Sequence, residues 1–150
     1  MITDALLSLS SAQVVTASAV STNTIDLSVA RDLGPGMDLF AVFTVDVAAL
    51  AAGAATVTFQ VISSASAALT SPTVLISSDA IGKAELILGR RPIQMEIPST
   101  ILAAQPIGQR YLGVQYVVAT GPLTAGSFSA TISDSSVSVG KNYPSGFTVL

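Results

Sequence analysis

Apolar and polar residues alternate with period two along most of the chain between residues 13 and 133. That alternation is the mark of strands with one buried face. Val15, Ala17 and Ala19 alternate with Val14, Thr16 and Ser18, and Ile25, Leu27 and Val29 with Asp26 and Ser28. After the Gly34-Pro35-Gly36 turn, residues 38–46 read DLFAVFTVD, apolar on both faces. Leu39, Ala41, Phe43 and Val45 share one face, and Phe40 and Val42 the other. Such a strand is either central and covered twice or has its outer face in an interface. Residues 55–62 follow with a clean inner face, then 73–77 with Val74 and Ile76.

The second half alternates more strongly. Ala84, Leu86 and Leu88 oppose Lys83 and Glu85 as far as Gly89-Arg90-Arg91-Pro92, and Ile93, Met95 and Ile97 oppose Gln94 and Glu96 up to Pro98. Leu112, Val114, Tyr116 and Val118 oppose Tyr111, Gly113 and Gln115, while Phe128, Ala130 and Ile132 oppose Ser127, Ser129 and Thr131. Residues 110–119 and 126–133 read as a hairpin across the Gly121–Gly126 turn. Helical candidates are minor: Ala-rich 47–53, and 99–104 with Ser99 as N-cap.

Eight or nine strands with Gly/Pro turns and minimal helix predict an all-β protein, a β-sandwich. An eight-stranded jelly roll is the leading topology. An immunoglobulin-like sandwich is second and lacks its Cys and Trp marks. The sandwich is expected over residues 13–133, with an N-terminal arm at 1–12 and a C-terminal tail at 134–150. The arm carries Leu6 and Leu7, and the tail Tyr143, Phe147 and Leu150. Apolar residues in terminal segments usually dock, here on their own domain or on a neighbouring chain.

Composition narrows the chemistry. The 150 residues include 15 charged side chains and no His, Cys or Trp. That excludes disulfides, thiolate nucleophiles, zinc–sulfur sites and every triad built on imidazole. Six Lys+Arg against nine Asp+Glu give a net charge of -3, the wrong sign and density for nucleic acid. A conventional soluble surface is about 25–35% charged, and charged residues are 10% of this chain. Either a Ser/Thr/Ala-rich exterior keeps it soluble, or much of the exterior faces other proteins.

Residues 47–78 contain no charge, but Thr56, Thr58 and Gln60 alternate there with Val57, Phe59 and Val61, a strand period rather than a membrane helix. Eight Phe and Tyr residues are too few for the two aromatic girdles of a membrane barrel, so no membrane partner is expected. Asp4, with no basic stretch before the apolar residues, argues against a secretory signal.

The carboxylates Asp26, Asp32, Asp38, Asp46, Asp79, Glu85, Glu96 and Asp134 sit mostly at strand ends or on polar faces, where single carboxylates aid solubility. No spacing matches a calcium loop, and neither Gly82-Lys83 nor Gly140-Lys141 completes a phosphate-binding loop. No catalytic residue, cofactor or metal is expected. Arg90, Arg91 and Arg110 hold half of the positive charge. They read as solvated arginines beside turns, as carboxylate-binding residues in a subunit interface, or as a phosphate contact.

Residues 110–132, RYLGVQYVVATGPLTAGSFSATI, carry a resemblance. They are similar to the jelly-roll capsid cement (decoration) proteins of short-tailed bacteriophages, which end in YLGxxYxVxxGxxTxGxxxAxI. STNTIDLSVARDLGPGMDLFAVFTVD (21–46) resembles that family's N-x-IDL … D-x-G-x-G-x-x-L segment, and GRRPIQMEIP (89–98) its mid-chain turn and strand. The last 10–15 residues match no motif of the family.

The resemblance implies a non-enzymatic protein on the outer surface of an icosahedral head, made in the bacterial host cytoplasm. Its partner would be the major capsid protein, and it would form homo-oligomers, dimers first and trimers second. Candidate interface residues are Arg90, Arg91, Arg110, Phe40, Val42, Leu6, Leu7, Tyr143, Phe147 and Leu150. The competing reading is a carbohydrate-binding or adhesin module on a phage or bacterial surface, and a third is an enzyme accessory domain.

Overall fold

The computed structural model describes residues 4–28, 39–97 and 109–134. They form two facing antiparallel sheets. One has the order β1 (Ser8–Val14), β10 (Ala125–Ser133), β4 (Leu39–Leu50), β8 (Ile93–Ile97). The other has the order β2 (Ala19–Val20), β9 (Tyr111–Ala119), β5 (Thr56–Ser64), β6 (Thr73–Ser77). Two short strands complete it, β3 (Ile25–Asp26) on β9 and β7 (Ile81–Gly82) on β5. β2 and β3 share one edge position, and β6 and β7 share the other. The ladders therefore fill four positions per sheet, in the order of a jelly roll.

The core lies between the sheets and follows the alternation. Val57, Phe59 and Val61 on β5 are fully buried, as are Val114 and Tyr116 on β9 and Phe128 on β10. Phe43, Phe59, Tyr116 and Phe128 form one aromatic cluster. Phe59 lies 5.1 Å from Phe43, 5.8 Å from Tyr116 and 5.3 Å from Phe128 between ring centroids. The Tyr116 hydroxyl and Ser10 Oγ hydrogen-bond within the core, tying β9 to β1 across the gap.

Several expectations are corrected. Residues 8–12 belong to the sandwich rather than to an arm before it, because β1 starts at Ser8 and Leu9 is fully buried. Residues 110–119 and 126–133 are consecutive strands but not a hairpin: β9 and β10 belong to opposite sheets. The physical reason is the core. Both strands carry an apolar face, and an arch lets those faces meet where a hairpin would set them side by side. The connection uses left-handed residues at Thr120 (φ 61°) and Gly121 (φ 102°).

Ala-rich 47–53 is not a helix, since β4 runs on to Leu50, where it pairs with Ala125 of β10. Residues 84–88 are not a strand. A 3-10 turn at Lys83–Glu85 sends only Leu86 into the core and leaves Leu88 69% exposed. On β6 a register shift opposite Val61/Ile62 turns Val74 outward, while Leu75 and Ile76 pack on the core. The expected helix at 99–104 lies outside the described residues.

Candidate interaction surface

The ten strands carry only three charged residues, Asp26, Asp46 and Glu96. Two of the three are engaged. Asp26 meets Arg110, and Asp46 Oδ2 accepts a hydrogen bond from Ser129 Oγ at 2.6 Å. The outward faces are instead made of Ser, Thr, Gln and small apolar residues, such as Thr56, Thr58 and Gln60 on β5. Such faces lose little when a neighbouring protein displaces their water, because few charges must be desolvated.

Among the described residues, the members of the expected interface set sit in different surroundings. Arg110 donates from Nε and Nη2 to the two carboxylate oxygens of Asp26 at 2.5 and 2.6 Å, and its guanidinium lies 5.1 Å from the Tyr111 ring centre. The bidentate contact holds the Asp26 carboxyl below its ordinary range and raises Arg110 above its own. Arg110 is therefore the latch of β3 on β9, not a free interface group.

Arg90 is also engaged, donating to the Glu85 carbonyl at 2.9 Å and to its carboxylate at 3.4 Å. Arg91 is exposed and makes no ion pair among the described residues. Val42 is 2% exposed: it sits on a central strand between Thr131 of β10 and Gln94 of β8, so it is not a contact surface. Phe40 is half-buried. Leu7 packs against the core, whereas Leu6, in a turn capped by Asp4, is 83% exposed. Tyr143, Phe147 and Leu150 lie outside the described residues.

A different set of apolar residues does come together. Val14 of β1 and Val47 of β4 both pair with Ser127 of β10, in one row on the face turned away from the core. With strands about 4.8 Å apart, the two valines lie roughly 10 Å from each other. Leu50 pairs with Ala125 further along the same strands. The Ala49 amide donates to the Leu86 carbonyl at 2.9 Å, which brings Ile87 and Leu88 to the flank of β4. Exposures are 71% for Val14, 51% for Val47, 57% for Leu50, 54% for Ile87 and 69% for Leu88. Sequence reasoning missed this patch because 47–53 read as helix and Leu88 as an inward strand residue. The available signal was register: β4 is long enough to continue opposite the start of β10.

Among the described residues one groove is open to solvent. A shallow groove of about 380 Å³ is lined by Ala5, Leu6, Ser8, Thr22, Asn23 and Thr24. It offers hydroxyls and an amide but no acid, base or activated nucleophile, and Asn23 already donates to the Ser8 carbonyl. Among the described residues no group of three His, Cys, Asp or Glu side chains could hold a metal ion. No described helix is long and apolar enough to cross a membrane.

Fold and surface together define a class: a jelly-roll sandwich with charge-poor faces and one exposed apolar end. The chain belongs to the Bbp16 family, a phage-related family whose match spans residues 9–132, from β1 to β10. No curated protein matches the sequence.

Proposed function

We propose that this protein is a structural, non-catalytic component of a phage head, a cement protein that binds the outer surface of the shell and fastens neighbouring capsomers of the major capsid protein. The observation that carries the proposal is the near-absence of charge from both sheets, on a member of a phage-related family. A protein that works by contact needs broad surface at low desolvation cost and no reactive groups. Each contact can be modest. Attachment at one site raises the effective concentration at the next, so several weak sites fasten a shell that any single site would not.

The carbohydrate-binding alternative wants exposed aromatic faces. Four of the eight aromatic side chains, Phe43, Phe59, Tyr116 and Phe128, are fully buried in the core. The cement reading is tested by adding purified protein to heads that lack it, then heating them or adding chelator. Bound protein and delayed rupture are expected. Absence of binding, or binding with unchanged rupture, overturns the stabilising role. Saturable binding on a glycan array would favour the adhesin reading instead.

A further inference from the structure

We infer that the exposed apolar end of the four-stranded sheet is the surface that meets the shell, and that the shell presents there an apolar patch with a carboxylate beside it. The inference rests on the cement reading and supplies the chemistry of the contact. Val14, Val47, Leu50, Ile87 and Leu88 are five of the seven large apolar side chains exposed among the described residues, and all five lie at this end. Singly exposed apolar residues are ordinary; a cluster on one face marks a place of association.

The charges around the patch set the sign of its partner. Among the described residues Lys83, Arg90 and Arg91 flank Ile87 and Leu88 along the chain, half of the chain's six basic residues, against Glu85 and, beside Val47, Asp46. Each of these except Arg91 is already occupied. Lys83 Nζ donates to the Ala51 carbonyl, Arg90 meets Glu85, and Asp46 accepts from Ser129. Among the described residues Arg91 thus has no carboxylate partner, a cation beside apolar surface on a chain whose net charge is -3. The complement is an apolar surface carrying an acidic side chain, which a guanidinium binds through two parallel hydrogen bonds. A second copy offering the same face would bring the same surplus cation and no free carboxylate among the described residues to meet it, since Glu85 and Asp46 are engaged. The matching surface therefore belongs to a different chain.

The test measures cosedimentation with heads that lack the protein, across a salt series, for the unaltered chain, a Leu50→Ser/Leu88→Ser variant and an Arg91→Glu variant. Both variants change exposed side chains, and thermal melting followed by circular dichroism confirms that each is folded. Each is expected to bind about tenfold or more weakly, as loss of a central contact does. Arg91→Glu should also lose part of the salt dependence shown by the unaltered chain. If the unaltered protein does not bind, the cement reading falls, and this inference with it. If it binds and both variants match it within about twofold, the inference alone is overturned. It is equally overturned if the variants break up a self-associated form in sedimentation velocity while head binding is unchanged, since the patch then joins copies of this chain.

Discussion

Tyr116 is the one polar member of the aromatic cluster, and its hydroxyl is satisfied by a single partner, Ser10. Burial pushes its phenol up to about 12, with the Ser10 hydrogen bond acting the other way and Asp46 adding to the rise. A phenol that is harder to ionise in the folded state stabilises the fold fully below its unfolded value, near 10. That contribution disappears as pH climbs through the folded value. Stability should therefore fall between pH 10 and 12, by roughly 2–3 kcal/mol. Chemical denaturation across this range should show the loss in the wild type and a flatter profile in Tyr116→Phe.

Gly113 illustrates a tighter constraint at the same scale. A Cβ there would overlap Leu69 Cδ1. Leu69 is 2% exposed and reaches this notch from a left-handed backbone (φ 54°), which a non-glycine residue adopts at a cost of about 1 kcal/mol or more. Gly113→Ala should destabilise by about 1–3 kcal/mol through overpacking. Combined with Leu69→Ala, the loss should be smaller than the sum of the two single losses, a coupling that a double-mutant cycle measures.

Among the elements, β3 depends most on one interaction. Its two residues pair with β9, the Leu27 amide donates to the Arg110 carbonyl at 3.0 Å, and Asp26 and Arg110 clamp the pair from the side. The Asp26 carboxyl is held below its usual value, chiefly by the Arg110 hydrogen bonds. Its contribution is present above the unfolded carboxylate value of 3.8 and is lost as pH falls through the lower folded one. Asp26→Asn should speed hydrogen exchange at Leu27 at neutral pH while leaving β5 unaffected. Acidification below the folded value should bring the wild type to the variant's behaviour.

Strand interiors were the part of the fold most legible in the sequence. β5, β8, β9 and β10 bury the residues that alternation assigns to the inside, since each packs one face against a single core. Local pattern could not reveal which strands pair. Consecutive β9 and β10 look like a hairpin because alternation records inside and outside, whereas sheet membership depends on distant strands. Bulges were equally hidden: shifts at Ser127/Phe128 and between Ala125 and Ser127 place Val47 and Leu50 outward and Ala49 inward, which strict alternation cannot produce. Arg90, Arg91 and Arg110 read as a group because sequence shows charge without partners. Asp26 lies 84 residues from the arginine it engages.

For the whole molecule, sheet order sets the sequence of events as well as the shape. β10 lies between β1 and β4, with Thr131 paired to both Ser8 and Val42. During synthesis β1 and β4 emerge early and must wait, unpaired along facing edges, for the strand that separates them. Neither can close the gap alone, because Phe128, Ala130 and Ile132 supply that sheet's share of the core at its middle. Non-local pairing of this kind slows folding and leaves strand edges open to other chains in the meantime. The sandwich is thus completed on the ribosome's schedule: its keystone is translated after the nine other described strands, and the exposed apolar end of its sheet takes shape only once it is in place.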